Sequence, residues 1–395
     1  MSLIVQKYGG SSLKTAREVH SVADRIQSLH SHGLSIVVVV SAMGNTTNEL
    51  IDLAFQVSPR PLQRELDMLL TTGERVSMSL LSMALNDRSV PAISFTGSQA
   101  GVITNESHNN AQIVEIKPLR VKQALEQKKV VVLAGFQGVT QESKEVTTLG
   151  RGGSDTTAVA MAAHFSADRC EILKDVDGVY SADPKIVKTA RLIPMMSYQH
   201  LSEMTFWGSK VLHHRAADLA LQLKVPLYVG PTHTKGTGTL IKGEATMYEN
   251  SNISSINSHT FVRLIRVKNS NLDQALIAFT QILANKNFSL PQIIDARFEN
   301  SDTLLLITGP KENILPLMET LLGQTTLEIV SNHLSSVTVT GLGFSATPSI
   351  QRLTHWLTLK GVALHSIISS PMSCTFVINE NDRENAIKIL HEFMQ

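Results

Sequence analysis

Cysteine is almost absent from this chain of 395 residues. There are two, Cys170 and Cys374, far apart in sequence. That excludes a disulfide framework and a Cys-rich zinc site, and it fits two buried, reduced thiols. A surplus of charge is also missing: 35 Lys and Arg face 34 Asp and Glu, a formal net charge of +1. General nucleic-acid binders carry a clear basic excess, so no nucleic-acid partner is expected. No long apolar run occurs either. The longest strongly apolar stretch, residues 36–40, falls far short of the ~20 residues that span a bilayer, so no membrane partner is expected. The opening residues, Met1-Ser-Leu-Ile-Val-Gln-Lys7, lack the charged and apolar regions of a signal peptide. A soluble, cytoplasmic chain is the expectation. With 43% apolar and 17% charged residues, the chain has ample material for packed cores, and its length fits two or three domains.

What is there begins with alternation. The pattern predicts strands at 3–6, 34–41, 129–136, 169–174 and 225–229, and helices at 15–29, 45–57, 74–85 and 156–165. Strands that run apolar without alternation are buried on both faces, so the expected fold is an open, mostly parallel α/β sheet flanked by helices. The rhythm changes near residue 242. Residues 243–260 read as a linker plus one strand. Residues 261–334 then read strand, helix, strand, strand, helix, strand, a ferredoxin-like unit. Residues 335–395 repeat the order but stop one strand short. Either 253–257 supplies the missing strand, so that the two units interleave, or the second unit has three strands.

Candidate chemistry lies at the strand ends. Lys7-Tyr8-Gly9-Gly10-Ser11-Ser12 follows the first strand. Paired glycines let backbone amides approach an anion, and a helix N-terminus favours it; a plain tight turn explains the glycines equally well. No Walker P-loop and no protein-kinase His-Arg-Asp or Asp-Phe-Gly set occurs. Ser41-Ala-Met-Gly44-Asn-Thr-Thr47 has the same place after the second strand, where open α/β sheets put ligands. Thr71-Thr-Gly73-Glu74-Arg75 reads as a helix start, with Glu74 either an ordinary first-turn acid or a ligand for an ammonium group. Gly150-Arg151-Gly152-Gly153-Ser154-Asp155 is the most specific run. Ser154 or Asp155 would serve as a helix cap, whereas an arginine among glycines suits a bidentate clamp on a carboxylate or phosphate. Lys174-Asp175, Tyr180, Asp183 and Lys185 follow a strand and look like a nucleotide edge. Lys210 and His213-His214-Arg215 read alternatively as a basic helix start. Adjacent histidines diverge on a helix, so they are not assigned a metal.

In order and spacing, Lys-Tyr-Gly-Gly-Ser-Ser, Ser-Ala-Met-Gly, Thr-Gly-Glu-Arg, the runs at 94–101 and 134–138, Gly-Arg-Gly-Gly-Ser-Asp and Asp-Val-Asp-Gly-Val-Tyr resemble the aspartate kinase family over residues 3–240. The carboxyl half is similar to its tandem ACT domains in layout. The resemblance implies the amino-acid-kinase fold, with residues 1–242 catalytic, 261–334 a first ACT unit and 335–395 a second. It implies transfer of the ATP γ-phosphoryl group to the side-chain carboxylate of L-aspartate, with Mg²⁺ bridging the phosphates and its protein ligands unassigned. In that scheme Lys7 neutralises the transferring phosphate, Gly9, Gly10 and Ser11 donate backbone amides to it, and Tyr8 binds at the nucleotide. Arg151 clamps the α-carboxylate, with Gly152, Gly153 and Ser154 beside it, and Glu74 takes the ammonium. Ser41 and Thr47 line the substrate side, Asp155 organises Lys7, and Lys174, Asp175, Tyr180, Asp183, Lys185 and Lys210 surround the nucleotide. A homodimer through the ACT units is implied, and Met247 offers an internal start for a shorter second subunit.

The chain departs from the family pattern in places. Position 174 is usually Ser or Thr and is Lys here; position 185 is usually Arg and is Lys here; His213-His214-Arg215 stands where His-Pro-Arg is common. The first ACT unit lacks the usual Pro-Gly turn in 266–272 and the Gln-Asn pair near 292–297. The expectation is therefore an ACT half that holds a dimer, with weak or absent inhibition by lysine or threonine. Two competing readings are a kinase of another small carboxylate, such as glutamate or N-acetylglutamate, and a silent amino-acid sensor.

Overall fold

The computed structural model describes residues 2–232, 237–243, 253–285, 290–321, 326–341, 344 and 347–394. Two compact units emerge. One comprises Met1–Val179, Leu192–Thr205 and Lys210–Ala245; the other comprises Tyr180–Arg191, Phe206–Ser209 and Thr246–Gln395.

The first unit is built on an eight-stranded sheet. At its centre Leu3–Tyr8 lies between Ser35–Val40 and Arg169–Lys174, parallel to both. Beyond Ser35–Val40 come Val130–Ala134 and Ala92–Phe95, also parallel. On the other side come Leu227–Pro231, parallel, then Thr239–Ile241, antiparallel, and the short Met195–Met196. Side chains alternate across a strand, and both faces are covered. Val5, Val37, Val39, Val131 and Leu133 pack against Ala158, Val159 and Met161 of the helix Gly153–His164. Ile4, Val38, Val40 and Val132 pack against Val22 and Ile26 of Ala16–Ser31 and Leu81 and Leu85 of Gln63–Asp87. Continuous β-branched runs thus become strands buried on both faces. The chain leaves Leu3–Tyr8 toward one edge and later returns on its other side, so the carboxyl end of this strand is the topological switch point.

Besides elements the pattern did not announce, such as Leu119–Glu126 and His214–Leu223, two features bear on the site. A second sheet of four short strands, Ile113–Ile116, Val102–Thr104, Gln137–Thr140 and Val146–Thr148, was not legible. The helix expected to open at Glu74 begins at Gln63 and runs 25 residues, which puts Glu74 in its middle. Gly73 reads as a boundary because glycine weakens helices. Here it serves close packing: a Cβ at Gly73 would lie 2.8 Å from that of Ala42.

The second unit is a six-stranded antiparallel sheet in the order Gln292–Glu299, Asp302–Thr308, Ile253–Val267, Leu327–Gly341, Ser373–Asn379, Leu364–Ser370. Ile253–Val267 and Leu327–Gly341 are each 15 residues long and serve both halves. Residues 253–259 pair with 336–341 in the second half, and 262–267 pair with 327–334 in the first. Each half therefore has four strands, and the second half takes its fourth, 253–259, from the start of the long strand that continues into the first half. Leu272–Asn285 and Lys311–Leu321 cover the first half; Thr347–Leu359 and Arg383–Glu392 cover the second. Two excursions of the amino-terminal half of the chain pack into this unit. Ile256 N–H donates to Ser181 O (2.7 Å), with Ala182 and Val187 in the apolar cluster. His259 and Gln292 side chains donate to Phe206 O at 2.9 and 3.0 Å. Met247 lies outside the described residues.

Candidate active site

The carboxyl ends of the three central strands bring Lys7, residues 41–47 and Lys174 together. Tyr8 O accepts from Ser41 N–H (3.2 Å), and Gly10 O accepts from Gly44 N–H (3.0 Å). Gly10 has no room for a side chain, since a Cβ would lie 2.6 Å from Ala42 O. The two glycine-containing turns are thus packed backbone to backbone. Gly9 N–H donates to Leu173 O (3.4 Å), extending the strand ladder, so the Gly9 amide expected to face a phosphate is engaged in the sheet. Gly10–Leu13 then forms a 3₁₀ turn, whose first amides have no partner within the turn.

Asp155 is the electrostatic centre. It is 3% exposed, in the first turn of Gly153–His164. Lys7 Nζ lies 2.6 Å from Oδ1, Lys174 Nζ lies 3.7 Å from Oδ2, and His213 N–H donates to Oδ2 at 3.4 Å. Burial alone would raise the Asp155 carboxyl, but the ammonium groups of Lys174 and Lys7 outweigh it and hold the carboxyl well below the usual range. Burial lowers Lys174, partly countered by Asp155. The Ser154-Asp155 pair does not cap the helix. Gly152 holds the cap position at φ +71°, and both side chains are buried inside the first turn.

Glu74 is 3% exposed. Its Oε1 accepts from Ala42 N–H at 2.9 Å, and its Oε2 is buried with no hydrogen-bond partner among the described residues. Burial pushes its carboxyl up to about 7, against the Ala42 hydrogen bond. Arg151 is exposed, on a turn between Gly150 at φ +74° and Gly152 at φ +71°. Only glycine adopts that backbone freely. Gly152 also abuts His213, where a Cβ would overlap the ring. Ser41 and Thr47 are half-buried in the turn and the first turn of Thr46–Val57.

Other expectations change. The Tyr8 side chain is not in the cleft. It is fully buried among Leu13, Ile26 and Ile36, and its hydroxyl donates to Gln6 Oε1 at 3.1 Å. Alternation along the strand sends Lys7 and Tyr8 to opposite faces. Lys174 ends its strand beside Asp155, and exposed Asp175 follows it. Tyr180, Asp183 and Lys185 belong to the excursion packed in the second unit, where Lys185 N–H donates to Asp183 Oδ1 at 2.9 Å. Lys210 is exposed on the loop before His214–Leu223; in the described ion pairs Asp155 is reached by Lys7 and Lys174.

Sequence reasoning missed Asp67 and the part played by His213 and Arg215. Asp67 is fully buried and accepts from His108 Nδ1 (2.7 Å), Asn109 N–H (3.1 Å) and Thr148 Oγ1 (2.5 Å). Its residue preceded the expected helix start, so no helix face was assigned to it. His213 and Arg215 were visible as a basic run but carried no geometry.

The glycine-lined turns and the Lys7–Asp155–Lys174 cluster thus meet at the carboxyl ends of the central strands, where open α/β sheets bind their ligands. The model of the amino acid kinase family matches residues 2–231, and the chain belongs to that family. It is 39% identical to the aspartokinase of Corynebacterium glutamicum, over 100% of this chain and 96% of that protein. It is also 39% identical to the aspartokinase of Geobacillus stearothermophilus, over 99% and 97%. Among solved structures, E. coli aspartokinase III in complex with aspartate and ADP superposes with a TM-score of 0.82 over 99% of both chains, at 23% identity, a likeness of fold. Aspartate kinase from Synechocystis is 34% identical, with a TM-score of 0.57, over 100% of this chain and 69% of that one.

Proposed function

We infer that the chain is an aspartate kinase, transferring the ATP γ-phosphoryl group to the side-chain carboxylate of L-aspartate to give 4-phospho-L-aspartate. The observation that carries the reading is a pair of unlike buried carboxylates that both feel the Lys7 ammonium. Asp155 is locked between two lysines, whereas Glu74 keeps one oxygen buried and unbonded, as a ligand for an ammonium group would.

The chemistry asks little of the protein. The attacking carboxylate has an ordinary pKa of about 3.9 and is ionised at neutral pH, so no general base is required. What remains is positioning and neutralisation of charge along the transferring phosphoryl group. In this reading Lys7 faces the γ-phosphate, Gly10 and Ser11 offer amides to it, and Asp155 holds Lys7 in place. Arg151 takes the α-carboxylate and Glu74 the ammonium, with Ser41, Thr47, Gly152, Gly153 and Ser154 lining that side. Lys174, Asp175 and Lys210 serve the nucleotide, and Tyr180, Asp183 and Lys185 are assigned to its edge from sequence. Mg²⁺ enters with ATP as the Mg–ATP substrate and neutralises phosphate charge. Its protein ligands are not assigned.

Residues 1–242 are proposed as the catalytic part, and 261–334 and 335–395, with the strand from 243–260, as the ACT part. That part is proposed to form a homodimer in the cytoplasm. Inhibition by lysine or threonine is proposed to be weak. The turn after Val267 has no Pro-Gly, and its amides are taken up by the neighbouring 299–302 turn: Asn269 N–H donates to Asp302 Oδ1 (2.9 Å) and Ser270 N–H to Ser301 O (3.1 Å). Tight lysine binding in calorimetry would contradict this. The substrate is tested by ADP release with L-aspartate, L-glutamate and N-acetyl-L-glutamate. L-aspartate should be turned over fastest; preference for either other acid would reject the assignment.

A further inference from the structure

We propose that Arg215 is a positioning residue for the amino-acid clamp: it fixes the turn that carries Arg151 and thereby sets affinity for the substrate. This deepens the function proposed above and rests on that reading.

Arg215 is the second residue of His214–Leu223. Its Nη1 donates to Leu149 O at 2.5 Å and to Asn110 Oδ1 at 3.2 Å, and its Nη2 donates to Ala111 O at 2.9 Å. Leu149 immediately precedes the Gly150-Arg151-Gly152 turn. The segment holding Asn110 and Ala111 runs alongside it, tied by Ala111 N–H to Thr148 O at 2.9 Å. All three acceptors of Arg215 are neutral, so its planar fork of donors matters more than its charge. Burial accordingly lowers its pKa, with no carboxylate to counter it.

The turn needs such a support. Gly150 and Gly152, both at positive φ, have little conformational preference of their own. Arg151 between them has its backbone direction set by whatever holds the two ends. The turn is closed by Gly153 N–H to Gly150 O at 3.0 Å, and its first end is held at Leu149, whose N–H donates to Phe136 O at 2.8 Å and whose carbonyl accepts from Arg215. The other is held by His213, whose ring fills the space at Gly152 and whose N–H reaches Asp155. The start of a single helix therefore ties Arg151 to the Asp155 cluster. Misplacing a binding group by about 1 Å is enough to cost on the order of 100-fold in reactivity.

The test uses the full chain and steady-state kinetics on Arg215→Ala, Arg215→Lys, Arg151→Ala and the double Arg151→Ala/Arg215→Ala, with unfolding temperatures measured alongside. Arg215→Ala should raise KM for L-aspartate on the order of tenfold and leave KM for ATP within about twofold. Arg215→Lys, which reaches fewer of the three acceptors, should fall between. In the Arg151→Ala background, loss of Arg215 should add nothing further. An unchanged KM for L-aspartate, equal rises in both KM values, or multiplying losses in the double variant would overturn the proposal. Should Arg215→Ala fail to fold, Arg215→Lys and Asn110→Ala decide by the same KM split. Wild-type protein inactive on L-aspartate would reject the substrate reading and this inference with it; active wild type with an indifferent Arg215 rejects this inference alone.

Discussion

Glu74→Gln separates substrate binding from fold stability, and it moves them in opposite directions. The Glu74 carboxyl is pushed from its ordinary 4.5 up to about 7 by burial. Its Oε1 already accepts from Ala42 N–H, and a glutamine can keep that bond; the buried Oε2 is what changes. A charge-assisted hydrogen bond from a substrate ammonium to this oxygen is worth about 1.5–3 kcal/mol. Glutamine should therefore raise KM for L-aspartate roughly 10- to 150-fold at pH 8. The free protein behaves the other way. A folded pKa above the unfolded one means that the folded state holds the proton more tightly. The associated stability is complete below pH 4.5 and declines as pH rises through about 7. The full shift corresponds to roughly 3 kcal/mol against the ionised form. Glu74→Gln should thus unfold at a higher temperature than wild type at pH 8, with little difference at pH 5. Wild-type KM for L-aspartate should climb as pH falls below about 7, and the glutamine variant should show no such slope. The assays are initial rates across pH 6–9 and thermal melts at pH 5 and pH 8. A variant with wild-type KM, or one destabilised at pH 8, would refute the assignment of Glu74.

Other perturbations read other parts of the cleft. Asp155→Asn leaves Lys7 and Lys174 without their shared counter-charge; kcat should fall on the order of 100- to 1,000-fold and stability by about 3 kcal/mol, measured by rates and denaturant melts. Because its carboxyl is lowered in the fold, the stability it adds is present at neutral pH and lost on acidification below its unfolded pKa. Lys174→Thr removes the second lysine while Lys7 stays paired; KM for ATP should rise up to about tenfold with KM for L-aspartate unchanged. Tyr8→Phe deletes a core hydrogen bond to Gln6 and should cost about 1 kcal/mol of stability with no change in KM for ATP, a shift in which would return Tyr8 to the cleft.

The parts of the fold legible in sequence were those where a periodic signal met a single physical cause. The apolar runs without alternation in Ser35–Val40 and Val130–Ala134 announced a sheet covered on both faces. The repeated strand order of the carboxyl half, one strand short, pointed to an edge that 253–259 fills. Short strands such as Val102–Thr104 and Val146–Thr148, of three residues each, are below what periodicity can register. Gly73 misled because its role is tertiary: it lets a helix approach Ala42, and no local rule anticipates a neighbour from elsewhere in the chain. The same limit governs the site. Lys7, Asp155 and Glu74 could be named from motifs, but the second lysine on Asp155 and the grip of Arg215 on Leu149 depend on segments separated by 19 and 66 residues that only the fold brings together. Tyr8 shows the converse, a residue inside a motif whose side chain belongs to the core.

The proposed reaction makes an acyl phosphate on the side chain of L-aspartate. It is tested most directly by incubating the protein with ATP, Mg²⁺, L-aspartate and hydroxylamine and measuring aspartyl hydroxamate and ADP together, for wild type and Lys7→Met. Hydroxamate should form in step with ADP in the wild type and be nearly abolished in the variant. ADP without hydroxamate, no product from wild type, or full activity without Lys7 would contradict it.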